Sequence, residues 1–225
     1  MWCVAELDAP YIARMEDVLA LYERPDHPKE PVVCLDEKPV SLHADVRPPR
    51  PARPGHIAKR DNEYQRCGTA NIFGVIEPLM GRHLTCATAN RSGAQFADMM
   101  QTVVASYPRV RTIHLVLDNL NIHREKSLTD HFGRQRGRRL WRRLTVHYTP
   151  KHGSWLNQAE IELSLVARQC LGTRRISQLS RLRAETRAWT ARANRRHAPI
   201  CWAFTRKDAR KKFGNKYKLS MRSET

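Results

Sequence analysis

The sequence predicts an α/β protein whose mixed β-sheet is covered by helices on both faces. Two patterns carry this prediction. Between residues 32 and 89, three strand-like apolar segments follow one another, as in an antiparallel meander. Beyond them, strand-like segments alternate with segments of helical periodicity, as in parallel arrangements. With 225 residues, of which 41% are hydrophobic, the chain can form one sizeable domain of this kind.

The chain is predicted to begin with one helix and a linker. Asp8 before Pro10 is typical of a helix start, and apolar residues then recur at helical spacing. Three prolines within residues 24–31 predict a linker. We therefore assign residues 1–31 to a connector helix and linker, and we expect the first strand to begin at Val32.

Two features follow the first strand. Residues 47–60 contain four prolines and five Lys or Arg, which predicts an extended cationic loop rather than a core element. Whether this loop is merely solvated or contacts a polyanion is left open by the sequence. Residues 71–89 then form a predicted hairpin, and Ser92 with Gln95 is typical of a helix start.

Further elements are predicted beyond Pro108, which ends that helix. In order, they are a strand ending at Asp118, a helix at 124–133, a strand at 144–148 and helices at 155–171 and 177–196. Residues 200–205 could be a strand or a loop. We assign residues 32–205 to the main domain and residues 206–225 to a basic, mobile tail.

The charge of the chain limits the partners it favours. It has 40 Lys and Arg against 22 Asp and Glu, a net charge of +18 and a pI near 10.3. Such a surplus favours a polyanionic partner, although a merely basic surface is the alternative. Six arginines occur between residues 134 and 143. The ones we expect to contact phosphate are Arg134, Arg136, Arg138, Arg139, Arg142 and Arg143.

The cysteines and the apolar segments indicate a compartment. The six cysteines form no CxxC pair and no Cys/His zinc spacing. The sequence has no apolar stretch of membrane-spanning length and no secretory signal pattern. We therefore expect a soluble cytoplasmic protein with reduced thiols and no membrane partner.

Three acidic residues are candidates for a metal site. Asp36 and Asp118 each end an apolar run, and the carboxyl ends of adjacent strands meet at one edge of a sheet. Neighbouring carboxylates raise each other's pKa unless a cation such as Mg²⁺ or Mn²⁺ neutralises them. The third acid comes from the helix at 155–171, where Glu160 and Glu162 lie at opposite edges of the apolar stripe. Helical periodicity does not choose between these two.

Three segments carry a resemblance to a known family. LDEK at residues 35–38, VLDNLNIH at 116–123 and HGSWLNQAE at 152–160 occur in this order. Together they resemble the DDE transposases of the mariner-like superfamily, specifically the bacterial insertion-sequence branch. The likeness extends over residues 1–205 and includes the TANIFGVIEP hairpin and the SGAQF helix start.

The resemblance implies a ribonuclease-H-like fold and a two-metal site for Mg²⁺ or Mn²⁺. Carried over residue by residue, it assigns catalysis and metal binding to Asp36, Asp118 and Glu160, since the LNxxE arrangement favours Glu160 over Glu162. It also implies four residues that orient these acids or contact DNA. They are Glu37, Asn119, His123 and Asn157.

The function that the resemblance implies is nicking and strand transfer of DNA at insertion-sequence ends, by a homodimer in the bacterial cytoplasm. Family members carry an N-terminal helix-turn-helix region, which the first 31 residues do not match. We therefore expect a truncated transposase. Two alternatives remain open: a catalytically silent DNA-binding remnant of a transposase, and a generic ribonuclease-H-like nuclease.

Overall fold

The computed structural model describes residues 7–222, with side chains as far as Gly214. Its sheet is mixed, with strand order β3-β2-β1-β4-β5. The strands are β1 (Val32–Asp45), β2 (Tyr64–Glu77), β3 (Arg82–Thr88), β4 (Ile113–Leu117) and β5 (Leu144–Tyr148). Strands β1, β2 and β3 pair antiparallel, whereas β4 and β5 run parallel to β1. The predicted mixed sheet is therefore confirmed.

Helices cover both faces of the sheet, also as predicted. They are α1 (Ala9–Tyr22), α2 (Gly93–Ser106), α3 (Glu125–Phe132), α4 (Arg134–Trp141), α5 (Ala159–Val166), α6 (Leu179–Arg196) and α7 (Arg206–Arg222). The apolar side chains of α2, α3 and α4 pack on one face. Those of α1, α5, α6 and α7 pack on the other. No helix among the described residues is long and apolar enough to cross a membrane.

Helix α1 packs directly on the sheet. Asp8 caps it by accepting a hydrogen bond from the Tyr11 N–H at 2.8 Å. Met15 and Val18 are fully buried and belong to the same apolar cluster as Cys34 of β1. Burying such side chains contributes roughly 1.5–3 kcal/mol each, so α1 is held by the core of the main domain.

Strands β1 and β2 extend far beyond the sheet. They pair as far as Asp45 with Tyr64, whereas β3 pairs only with residues 71–77 of β2. The remaining halves form a projecting hairpin, and its tip, residues 46–60, is exposed and includes the Pro-rich basic segment. Arg60 and Arg175 both donate to the Asp45 carboxylate, which ties the far end of this hairpin, next to its tip, to the segment before α6.

The predicted helix at 155–171 is broken in the structure. It comprises a 3₁₀ turn (Ser154–Leu156), then α5, and then a π-helical turn (Ala167–Leu171). The break occurs at Asn157, whose backbone is extended and whose side-chain oxygen accepts from the Ala159 N–H at 3.1 Å. An asparagine that bonds to nearby backbone competes with the helix, and here it begins α5 instead of continuing an earlier turn.

The described first part of the predicted basic tail is helical, because α7 begins at Arg206. The N–H of Thr205 donates to the Asp208 carboxylate, and the Asp208 N–H donates back to the Thr205 hydroxyl. This reciprocal capping box starts the helix. Ala209 is fully buried against α1, and Arg206 pairs with Glu23. Residues 200–205 form a loop, and residues 223–225 of the predicted tail lie outside the described residues.

Candidate active site

Strand register brings Asp36 and Asp118 side by side. In the parallel β1–β4 ladder, each paired residue of β4 follows its β1 partner by 82 positions, as in Cys34 with Val116. Asp118 follows Asp36 by the same interval. Because side chains alternate along strands, Asp36 points to the face of Cys34, on which α1 packs. Strand β4 ends at Leu117, so the acids lie where the two strands part.

Asp36 experiences both burial and repulsion. Burial raises the pKa of its carboxyl group most, and the charges of Glu37, Asp118 and Glu160 raise it further, to about 7. A hydrogen bond of 2.7 Å from the Glu37 N–H only partly opposes this rise. The Asp36 carboxylate is therefore short of neighbouring positive charge.

The structure places Glu160 and Glu162, between which helical periodicity does not choose, in different environments. Glu160, in the first turn of α5, is exposed and close enough to Asp36 to raise its pKa. Glu162 is fully buried on another side of the helix, with its carboxylate 2.7 Å from His83 Nδ1 of β3. The start of α5 is fixed to β1 because Asn157 Nδ2 donates to the Leu35 carbonyl at 2.8 Å. We call the region of Asp36, Asp118 and Glu160 the acidic edge.

A buried histidine links two acids at the acidic edge. His123 is fully buried, with Nε2 2.7 Å from Glu37 Oε1 and Nδ1 2.7 Å from Asp118 Oδ1. Burial alone would lower the pKa of His123, but the hydrogen bonds and charges of Asp118 and Glu37 raise it to about 9. An imidazolium between two carboxylates is therefore the neutral-pH state.

Asp118 is held in its ionised form. Burial would raise the pKa of this carboxyl group, but hydrogen bonds from His123 and from the Leu120 N–H, with the charges of His123 and Arg91, lower it below the ordinary value. The next residue, Asn119, accepts from Arg14 Nη1 of α1 at 2.6 Å and donates to the Thr149 carbonyl at 2.5 Å. Helix α1 therefore reaches the acidic edge.

The arginine-rich segment lies elsewhere, on α4. Within the part of the chain with described side chains, no α4 arginine bonds to a residue of the acidic edge. Arg143 is half-buried and donates to the backbone carbonyls of Tyr107 and Val110. Arg138 pairs with Glu125 at 3.2 Å. The remaining predicted phosphate contacts are exposed: Arg134, Arg136, Arg139 and Arg142.

Sequence reasoning missed three arginines near the acidic edge. They are Arg14 on α1, Arg91 between β3 and α2, and Arg124 immediately before α3. Each is isolated in the sequence, so no charge run or motif indicates it.

The acids are not already arranged around one point. Among residues 7–214, no three His, Cys, Asp or Glu side chains form a group that could hold a metal ion as they stand. Asp118 is directed to His123, and Asp36 accepts from the Glu37 N–H. Joint binding of one cation by the three acids would therefore require side-chain rotation. Their oxygen donors fit the hard cations Mg²⁺ and Mn²⁺.

Comparison with known proteins identifies the family. Residues 31–183 match the family model described as DDE superfamily endonuclease. The chain belongs to this superfamily. The matched range begins just before β1 and ends within α6, so it includes Asp36, Asp118 and Glu160.

Solved structures of similar fold include complexes of the Mos1 mariner transposase. The Mos1 mariner paired end complex with Mn has a TM-score of 0.55 and 15% sequence identity, covering 88% of this chain and 61% of that chain. The Mos1 strand transfer complex has a TM-score of 0.54 and 15% identity, with the same two coverages. This likeness shows the fold, and the predicted ribonuclease-H-like fold is confirmed. The chain spans 61% of the length of these Mos1 chains. No curated protein matches the chain.

Proposed function

We propose that this chain is the catalytic part of a transposase that cuts and joins DNA strands at insertion-sequence ends. The observation that supports the proposal is that Asp36 and Asp118 lie beside each other where β1 and β4 part, with the charge of Glu160 acting on Asp36, in a chain of the DDE endonuclease superfamily. The net charge of +18 supports a DNA partner.

The acids of the acidic edge would hold the metal. The pKa of about 7 for Asp36 reflects burial and unneutralised repulsion among carboxylates, which a divalent cation relieves. Mos1 has been solved in complexes with Mn and with Mg, and we propose two ions of this kind here. When bound, such ions polarise the scissile phosphodiester and stabilise the charge that develops during in-line displacement.

Neighbouring residues would position these acids. His123, fixed by Glu37, holds Asp118 ionised and in one orientation. Asn157 fixes the start of α5, and hence Glu160, relative to β1. Asn119 connects the acidic edge to α1 through Arg14. These roles fit groups that orient metal ligands without binding the metal.

DNA would be held by basic surfaces away from the acids. The exposed α4 arginines and the projecting hairpin, with five Lys or Arg at residues 47–60, carry charge without a base-reading motif. Such contacts position the backbone of DNA rather than select sequence. We propose a homodimer, because two element ends must be processed together.

The test is nicking of supercoiled plasmid in Mg²⁺, compared with EDTA. Asp36→Asn, Asp118→Asn and Glu160→Gln should each lower the nicking rate by roughly 10²–10³-fold or more, because each removes a carboxylate that would hold the metal ions, and these ions stabilise the transition state. Binding of a labelled DNA duplex should change by no more than about threefold, since phosphate contacts elsewhere supply the affinity.

Glu162→Gln is the matched control. It changes the other glutamate of α5 in the same way, and its nicking rate per folded molecule should stay close to that of the wild type, with circular dichroism reporting folding. Full nicking by the Asp36 and Asp118 variants would end the proposal. If the wild type binds DNA but does not nick it, the result would favour the alternative function, a catalytically silent DNA-binding remnant of a transposase.

Strand-transfer assays distinguish the transposase from a generic nuclease. A transposase should join the 3′ end of a terminal-repeat oligonucleotide, taken from the DNA flanking the coding region, to plasmid. A generic ribonuclease-H-like nuclease should cut plasmid or an RNA–DNA hybrid without joining.

A further inference from the structure

Three arginines from three separate elements surround the acidic edge. Arg14 comes from α1 on one face of the sheet, and Arg91 comes from the loop that leads into α2 on the other face. Arg124 follows β4 directly before α3. All three side chains are exposed. Positive charge is therefore supplied to this edge from both faces.

Arg14 and Arg124 approach the same part of the edge. Arg14 donates to Asn119, the residue after Asp118, at 2.6 Å. The Tyr148 hydroxyl donates to the His123 carbonyl at 2.6 Å and so fixes the backbone from which Arg124 projects. Burial raises the pKa of Tyr148, and the charges of Arg124 and Arg14 oppose that rise. Both guanidinium groups are thus close to one phenol beside the acidic edge.

Arg91 lies in an ordered loop beside the segment that follows Asp118, because Gly93 lies against Ser127, whose hydroxyl donates to the Ile122 carbonyl. The Thr88 hydroxyl donates to the Asn90 carbonyl at 2.6 Å, and the Asn90 side chain accepts from the Ser92 N–H at 3.1 Å. These bonds fix the residues on both sides of Arg91. Its charge acts on Asp118, where it favours the ionised carboxylate.

None of the three arginines is committed to a carboxylate. Within residues 7–214, neither Arg14, Arg91 nor Arg124 forms an ion pair, although carboxylates lie nearby. Other arginines of the chain are paired, as Arg181 is with Glu185 at 2.6 Å. The free guanidinium donors suit phosphate, which arginine can bind through two parallel hydrogen bonds.

We propose that Arg14, Arg91 and Arg124 bind the phosphates on either side of the scissile phosphodiester, in a DNA strand that crosses the acidic edge. This inference rests on the proposed function and makes α1 part of the DNA-binding site. The three arginines touch substrate but leave the reacting atoms to the acids. Their loss should therefore affect substrate binding more than the chemical step.

The experiment measures steady-state nicking of supercoiled plasmid in Mg²⁺ at several salt concentrations. Arg14→Ala, Arg91→Ala and Arg124→Ala should each raise KM by roughly 3–10-fold, with kcat changed by less than about twofold. Each should also reduce the slope of log affinity against log salt, measured with a labelled duplex, by about one. Arg181→Ala removes the same charge from a paired, exposed arginine on α6 and should leave both quantities near wild type.

Two further variants test a purely structural role. If Arg14 acts only by holding Asn119, Asn119→Ala should reproduce its effect on KM, and the salt slope of both variants should equal that of the wild type. Arg14→Lys should recover the salt slope but only part of the KM, because lysine keeps the charge without the two-donor geometry.

The inference fails if the wild type nicks DNA while all three Ala variants match Arg181→Ala in KM and salt slope. That outcome would leave the proposed nuclease function intact. Conversely, a wild type that binds DNA but does not nick it would contradict the proposed function. The salt slopes of the three variants, measured by binding alone, would still decide whether the arginines contact phosphate.

Discussion

The two ends of the β1–β4 pair are built in opposite ways. At the amino end, the buried Glu30 carboxylate is paired with Arg24 and Arg111. At the carboxyl end, Asp36 and Asp118 lie beside each other, and nearby arginines form no ion pair with them in the described residues. One end has the charge pairing of a stabilising structure. The other leaves the Asp36 carboxylate beside other carboxylates with no ion pair among the described residues, which costs stability and is typical of functional sites.

The amino end also holds a histidine in its neutral form. His114 Nε2 accepts from Arg24 at 3.1 Å, and its Nδ1 lies 2.9 Å from His147 Nε2. His147 in turn bonds to Asp17 of α1 at 2.7 Å. Burial, followed by the charges of His147 and Arg24, lowers the pKa of His114 to about 4, so it is neutral at pH 7. This network of hydrogen bonds joins α1 to β4 and β5.

Glu30→Gln should have the largest effect on stability. It removes the negative charge that faces two arginines, and we expect the free energy of unfolding to fall by about 2–3 kcal/mol. This is less than the roughly 3–5 kcal/mol typical of fully buried pairs, because both arginine side chains are largely solvated. Urea unfolding at pH 7 measures it. Asp130→Asn, in the exposed Lys126 pair, should cost no more than about 0.5 kcal/mol, and equal losses in both variants would contradict the contrast between the ends.

Asp36→Asn should change the free energy of unfolding in the opposite direction, by stabilising the metal-free protein. In the metal-free protein the folded-state pKa of Asp36 is about 7, above its unfolded value near 3.9, so the folded state binds the proton more tightly. The stability of the wild type therefore falls as pH rises from about 4 to about 7. The Asp36→Asn variant does not lose stability in this way, because asparagine does not titrate. We expect Asp36→Asn to be more stable by roughly 2 kcal/mol at pH 8, after allowance for solvent screening, and by almost nothing near pH 4.

Thermal unfolding in EDTA, from about pH 4 to about pH 8, measures the difference in stability between Asp36→Asn and the wild type. Added Mg²⁺ should then raise the melting temperature of the wild type more than that of Asp36→Asn, because a ligand stabilises the state that binds it. A variant less stable than the wild type at pH 8 would show that Asp36 serves folding, as Glu30 does.

The sequence predicted the strand-borne part of the acidic edge because strand geometry is local and regular. Asp36 and Asp118 follow apolar runs, and parallel pairing places equal steps along two strands beside each other. The choice between Glu160 and Glu162 could not be made from local geometry. It depends on His83 of β3, which lies against Glu162 in the folded protein and which no local pattern of α5 could reveal.

Other parts were missed for separate reasons. Helix α7 had a local signal, the Thr205–Asp208 capping box, which the surplus of basic residues obscured. Arg14 and Arg91 had no such signal, because only tertiary structure brings Arg14 to Asn119 and Arg91 near Asp118. Local backbone chemistry and strand periodicity were therefore predictable in principle. Contacts between distant elements were predictable only where a family resemblance supplied them.

Glu37→Gln should have the smallest effect of the variants that compare the two ends, and it tests whether His123 orients Asp118. The glutamine oxygen can still accept from His123 Nε2, but the negative charge that favours the imidazolium is lost. We expect the Mg²⁺ concentration for half-maximal nicking to rise about tenfold, the lower end for residues that support metal ligands. Titration of nicking rate against Mg²⁺ at pH 7.5 measures this.

Glu77→Gln is the matched control for Glu37→Gln, because Glu77 is also a buried strand glutamate with one side-chain donor, the Tyr107 hydroxyl at 2.7 Å. It lies at the end of β2 that pairs with the start of β1, away from the acidic edge. Its Mg²⁺ requirement should match the wild type even if its stability changes. If both variants shift the Mg²⁺ requirement equally, the shift reflects general loosening of the sheet. If only Glu37→Gln shifts it, Glu37 acts on Asp118 through the buried imidazolium of His123.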